Sequence, residues 1–355
     1  MISDDLINPF QHDPRTELPH AIAATPGWTE HYFFFGYDPD AALGMNVHIG
    51  RLPADPTIWR AVVQMYLPGG DELLVAKYHG RDGDFRGPGA GPIKLSCIEP
   101  LRLWTVDFDG AAFSTTRRTL TRGIFRDGPA EPVSFHMLFE AAGPLFGRDQ
   151  DLGEGRTSST FHSEQICRIT GFFRYRGKYV KLTGIGARDH SSGPRDYGPV
   201  ISDIWFHAAF PSGKVIQTQV VRFDKMEYKS AYVFRGDGTP LEMAEILEHP
   251  HVNSKDAAPG SLCADPMSEA ARNFQIVLET SSGQEVLSGE LLHAHAITYF
   301  SPMEEFIGTA LDRPDGVQMC ECPARVVCNG EVGHALRERV ARTGTLFPAS
   351  DVSSK

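Results

Sequence analysis

The chain has 355 residues, 41% hydrophobic and 22% charged, a globular balance with enough apolar material for two domains of ~150–180 residues. Asp and Glu outnumber Lys and Arg by 45 to 34, and the net charge of −11 excludes a general nucleic-acid or anionic-membrane partner, since both need a basic face. No apolar run approaches the roughly 20 residues of a membrane span, and residues 1–14 are polar and acidic, unlike a secretion signal.

Along the chain, short apolar and aromatic runs alternate with Gly, Pro, Asp and Asn, the signature of strands and turns. The first half predicts strands at 30–37, 45–51, 59–67, 72–79, 101–107 and 133–140, with turns at Gly69-Gly70 and Asp109-Gly110. Residues 143–159 are polar and Gly-rich and are expected to link two domains, 1–154 and 155–355. The second half predicts strands at 164–175, 179–185, 201–210, 214–223, 231–234, 274–279, 285–300 and 324–328. Helical periodicity is confined to a short turn at 303–311 and a short helix at 333–343. So many strands must resolve their edges, and closure into barrels does so. The expected fold is all-β, with two tandem antiparallel β-barrels, each wide enough inside for one apolar ligand.

The densest chemistry lies at residues 184–196, where Arg188, Asp189, His190, Arg195 and Asp196 fall between glycines. The expectation is a loop leaving a strand, with Asp189 orienting His190 for proton transfer and Arg188 and Arg195 positioning them or the substrate. The structural alternative is a clamp of Arg–Asp pairs bracing a barrel mouth. Asp203, Trp205 and His207 alternate on one strand face, as do His293, His295 and Tyr299. Asp203 and Trp205 are expected to line a pocket, and His207 to take part in catalysis if that face points inward. His293 and His295 suit substrate contact, metal ligation with a third residue, or packing; the reading adopted is substrate contact without metal, with Tyr299 assisting proton transfer. Glu164 follows His162 at i+2 and suits a general acid if buried. His249 and His251 are expected in an exposed loop.

Six cysteines are spread thinly, which does not suit a disulfide framework, and the spacing of Cys320, Cys322 and Cys328 lacks the paired C-x2-C of a zinc site. There is no nucleophile elbow, zinc helix, Walker loop or dinucleotide fingerprint, so no cofactor is expected.

The segment Gly-x-Gly-x-Arg-Asp-His-Ser-x-Gly-x-Arg beginning at Gly184 resembles the motif of AttH-like proteins, the lipocalin-related group of carotenoid 1,2-hydratases (hydroxyneurosporene synthases). Weaker matches are Trp28-x-Glu30, Glu164-Gln165, Trp205 and the end near Glu338. Ser192 departs from the motif where a tryptophan often stands. The resemblance implies two lipocalin-like barrels and a pocket for a large apolar substrate. It also implies acid-catalysed hydration, dehydration or isomerisation of a terpenoid, steroid or aromatic molecule. A carrier that binds such a ligand without turnover is the alternative. The expected location is cytoplasmic, and a homodimer is compatible with the reading.

Overall fold

The computed structural model describes residues 2–125, 128–149, 161–223, 226–250, 262–301 and 304–347. Its first eleven strands are β1 Trp28–Asp38, β2 Leu43–Leu52, β3 Asp55–Tyr66, β4 Glu72–Gly80, β5 Gly83–Asp84, β6 Gly87–Ala90, β7 Ile93–Glu99, β8 Leu103–Thr116, β9 Ala130–Asp149, β10 Phe161–Tyr175 and β11 Lys178–Pro194. They form one antiparallel sheet in the order β4-β3-β2-β1-β11-β10-β9-β8-β7-β6-β5, and a further β4–β8 pairing bends it into a nearly closed barrel. The return of β11 to β1, from Trp28 opposite Pro194 to Tyr37 opposite Ile185, joins the ends of the first unit.

The second set is β12 Val200–Ala209, β13 Val215–Phe223, β14 Glu227–Phe234, β15 Glu242–Met243, β16 Glu245–Glu248, β17 Leu262–Cys263, β18 Asn273–Thr280, β19 Gly283–Leu291, β20 Ile297–Phe300, β21 Glu304–Ile307, β22 Val317–Cys328, β23 Glu331–Arg342 and β24 Leu346–Phe347. The order β15-β14-β13-β12-β23-β22-β19-β18-β16 makes a second antiparallel sheet, with β20 on β22, β21 on β20, and a separate β17–β24 pair. That last pair is parallel. The fold is thus nearly all β, as the strand-and-turn pattern predicts.

Alternation along β1 sets the first barrel. Tyr32 and Phe34 point inward and join Val47, Met65, Trp104 and Phe139 in an apolar cluster, while His31, Phe33 and Phe35 point outward. Paired rows carry this alternation to β11, so that His190 shares the inner face with Tyr32, and Asp189 the outer face with Phe33. The barrel interior is filled by its own side chains.

Several boundaries differ from expectation. The first compact unit runs to Asp196 and includes Gly128–Asp196, so β10 and β11 belong to it and the break does not fall near residue 155. Long strands β10 and β11 could close the first sheet only by staying in it. Residues 143–149 are the end of β9 rather than linker, and 150–159 lie outside the described residues. Residues 188–194, expected in the loop that leaves the strand, continue strand β11. The expected helix at 333–343 is strand β23, held by ladders to both β12 and β22; tertiary pairing overrides its helix-forming residues. The expected turn at 303–311 contains β21, and Asp109-Gly110 lies inside β8. All six cysteines are free thiols.

Gly184 in the motif has a packing role. A Cβ there would collide with the Tyr37 carbonyl oxygen of the adjoining strand. Gly184→Ala is therefore expected to destabilise the first unit by about 1–3 kcal/mol, as overpacking does, and chemical denaturation of the variant against the parent measures it.

Candidate active site

Because β11 alternates, the motif divides into an inner and an outer set. Arg188, His190 and Ser192 face the barrel interior; Asp189 and Ser191 face out. Asp189 and His190 therefore do not form the expected pair.

The inner set is a layer of compensated charge above the apolar cluster. Arg188 makes a two-pronged pair with Glu17, Nη1 to Oε1 at 3.0 Å and Nη2 to Oε2 at 2.6 Å, and donates to Gln165 Oε1 at 3.0 and 2.7 Å. Glu17 also accepts from Trp104 Nε1 and the Leu101 amide, both at 3.2 Å. Burial alone would raise the Glu17 pKa, but the Arg188 charge outweighs it and the carboxyl is held below its usual range. Beside it, His190 Nε2 lies 3.0 Å from Glu30 Oε1, and Arg51 Nε donates to Glu30 Oε2 at 2.9 Å. The His190 ring stacks on Tyr32 with centroids 3.9 Å apart. Glu30 is likewise held low against its burial, first by the His190 bond. His20 approaches the same carboxylate at 3.6 Å and bonds Ser192 Oγ at 3.0 Å. Ser192 thus serves His20 inside the barrel, with no bearing on an outer pocket wall. His20 and Glu17 come from the segment before β1, whose short 3-10 turn Pro14–Glu17 is capped by Asp13.

The outer set is more open. Glu164 on β10 stands directly opposite Asp189 on β11, and His162 opposite Ser191. Two carboxylates in facing positions repel, and His162 Nε2 relieves this by a close hydrogen-bonded contact with Asp189 Oδ2 and a 3.3 Å approach to Glu164 Oε1. Burial pushes His162 down, yet the Asp189 and Glu164 charges win and raise its pKa above the usual 6.5. Glu164 is 4% exposed as a residue, whereas the His162 and Asp189 side chains keep 17% and 18% exposure. Arg195 reaches back to Ser191 Oγ.

The rows continue onto neighbouring strands. His162, Ser191, His31 and Gly50 form one row, and Glu164, Asp189, Phe33 and His48 the next. His31 Nδ1 lies 3.2 Å from His48 Nε2 with the rings stacked. A Cβ on Gly50 would occupy the space of the His31 imidazole. Burial and then the Arg195 charge push His31 well below the usual histidine range, and burial and Arg60 do the same to His48. Both therefore stay neutral, so one ring donates and the other accepts. Three kinds of group thus share one face: a histidine whose pKa two carboxylates raise, those carboxylates, and a neutral histidine pair. Phe33 and Phe35 are buried among them.

The other expected residues lie in the second unit. Trp205 and His207 share a buried face with rings 4.2 Å apart, and Asp203 accepts from Gln219 at 3.1 Å. The opposite face of β12 carries Ile204 and Phe206. Tyr299 stacks on Tyr197 with centroids 5.4 Å apart. His293 and His295 precede strand β20, so strand alternation does not set their direction. His293 bonds the Glu72 carbonyl at 3.0 Å, and burial lowers the two rings to about 4 and about 3, leaving both neutral. His249 is buried and bonded to Thr218 Oγ1 at 2.7 Å, contrary to the expected exposure; His251 lies outside the described residues.

Sequence reasoning missed His31, His48, Glu17, His20 and Arg51. Period-two placement of His31 against Glu30 in the first strand was the available signal; the partners of Glu17 and His20 are too distant in sequence to show.

Two outcomes follow. Removing one partner of the inner pair, as in Arg188→Met, leaves Glu17 buried and uncompensated and is expected to cost about 3–5 kcal/mol, read by urea denaturation. For the outer cluster, a raised folded-state histidine pKa means stabilisation that is complete below 6.5 and is lost as pH rises through the folded value. In Asp189→Asn the main raising charge is gone, so the His162 ring titrates at lower pH than in the parent, measured by NMR of its Cε1–H.

Solved structures share this architecture. An AttH candidate protein from Nitrosomonas europaea matches with a TM-score of 0.51 at 14% identity, over 92% of this chain and 99% of its own. Kievitone hydratase from Nectria haematococca matches with a TM-score of 0.48 at 11% identity, over 89% of each chain. CghA in a structure with Sch210972 matches with a TM-score of 0.48 at 11% identity, over 96% of this chain and 98% of its own. The AttH-like fold expected from the motif is therefore present over most of the chain. No curated protein matches the chain. The model of a family described as Domain of unknown function (DUF7064) matches residues 13–338, and the chain belongs to that family.

Proposed function

We propose that this protein is an acid–base enzyme, a lyase or isomerase acting on a small hydrophobic molecule, and that its proton-transfer group is the outer cluster His162–Asp189–Glu164. The observation that carries the reading is geometric: His162 Nε2 stands between the Asp189 and Glu164 carboxylates, with the His162 and Asp189 side chains 17% and 18% exposed. In a dehydration, His162 Nε2–H gives its proton to the leaving hydroxyl, which departs as water. A carboxylate of the cluster takes the proton from the neighbouring carbon as the double bond forms. That proton then returns to His162 within the cluster, so the site is restored with one water released. Hydration runs the same steps backward, and isomerisation omits the water. The neutral His31–His48 pair lies in the adjoining rows, and Phe33 and Phe35, 7% and 0% exposed, brace the cluster from within. Arg195 orients Ser191 and the cluster.

A carrier holding its ligand inside the first barrel is less well supported, since that interior is filled by Tyr32, Phe34, Trp104 and their neighbours. The test incubates the protein with hydroxylated and unsaturated terpenoids, steroids and phenolics and follows gain or loss of one water, or a double-bond shift, by mass spectrometry and NMR. Asp189→Asn is expected to lower kcat by about 10²–10⁴ while leaving the fold intact. Folded Asp189→Asn and His162→Ala variants that both match the parent rate would remove the cluster from the mechanism.

A further inference from the structure

The second unit buries two arginines that lack what every buried arginine of the first barrel's inner layer has. On β23, Arg337 and Arg339 are 4% and 5% exposed. They pair across to Phe206 and Ile204 on β12 and to Cys322 and Cys320 on β22, which places both on the face that carries the apolar side chains. Among the described residues neither makes an ion pair with a carboxylate. Arg339 donates to the Cys263 and Ala264 carbonyls, both at 3.0 Å, and to the Gln318 side-chain carbonyl. Arg337 donates to the Ala271 carbonyl at 3.1 Å and lies 4.9 Å above the Phe274 ring. Among the described residues, the Nε–H of each is buried without an acceptor. Asp265, next after the carbonyls that hold Arg339, is committed to Arg117.

Carbonyl dipoles and a ring face offset only part of the cost of burying a full charge. Burial and the adjacent Arg339 lower Arg337 to about 10, so it still carries its charge near neutrality. Two neighbouring guanidiniums with unused Nε–H edges present the donors that a planar oxyanion accepts. Phe274, with Phe206 at 5.9 Å between ring centroids, makes the surroundings apolar. That combination suits an anion joined to an apolar body better than a fully hydrated inorganic ion.

We infer that the second unit binds an organic carboxylate, its headgroup on the Nε edges of Arg337 and Arg339 and its apolar part against Phe206 and Phe274. This site is independent of the outer cluster of the first barrel, and its test does not involve turnover.

The experiment uses the full chain with octanoate and benzoate as probes, octanol and benzyl alcohol as uncharged controls, and inorganic phosphate as a competing anion. Calorimetry is expected to detect the carboxylates but not the alcohols, with affinity falling about tenfold or more in Arg337→Gln, the range for a lost charge-assisted hydrogen bond. The Arg337 Nε–H resonance of the unsubstituted, arginine-labelled protein should shift on adding octanoate, a measurement that does not depend on the variant folding. An unmoved resonance, or equal affinity in a folded Arg337→Gln, would overturn the site. Phosphate binding at Arg337 with both carboxylates silent would overturn the assignment of an organic carboxylate.

Discussion

Strand alternation along β11 is the constraint from which the first unit follows. Once Ile185 to Pro194 pair with β1, successive residues must take opposite faces. Arg188 and His190 are then committed to a barrel interior where an unpaired charge is untenable. The chain answers with Glu17 from the segment before β1 and Glu30 from β1 itself. Those two carboxylates do more than neutralise: Glu17 ties the N-terminal segment to Trp104 and Leu101, and Glu30 orients His190, His20 and Arg51 together. Asp189 is committed to the outer face by the same geometry.

The two faces need different electrostatics. Inside, each positive group has a carboxylate at hydrogen-bond distance and little water, so charges are fixed and their protonation changes only if the layer is broken. Outside, His162 has two carboxylates beside it and keeps partial exposure to water. The His31–His48 pair lies one row away under the influence of Arg195 and Arg60, and it remains neutral. Burial lowers all three rings; His162 alone is raised, because Asp189 and Glu164 adjoin it, whereas Arg195 and Arg60 add to the lowering of His31 and His48.

Much of the fold was legible because its signal is local. Period-two runs, and turns such as Gly69-Gly70 and Arg176-Gly177 with positive φ, mark strands without reference to the rest of the chain. The density of ionisable groups around Arg188 and Asp189 also marked a special segment, and Glu164 fell beside Asp189 as a candidate. What could not be read was partnership. Glu17 meets Arg188 across 171 positions of sequence, and nothing in an acidic N-terminal stretch announces that. Flanking glycines made residues 188–194 look like a loop, whereas Gly184 permits close approach of the Tyr37 carbonyl within a sheet. At β23, helix-forming residues such as Ala335, Leu336 and Arg337 were overruled by two neighbouring strands.

The two units also treat buried arginine differently. In the first, Arg188 and Arg51 are each answered by glutamate. In the second, Arg337 and Arg339 rest on backbone carbonyls, an amide and a ring. A carbonyl satisfies a donor's geometry but not its charge, so the positive potential there remains. If stability alone governed the position, an apolar side chain matched to Phe206 and Phe274 would serve it as well or better. Retaining two guanidiniums at adjacent inward positions of one strand makes physical sense where an anion completes them, which separates a charge layer that holds a barrel together from one that is left open for a ligand.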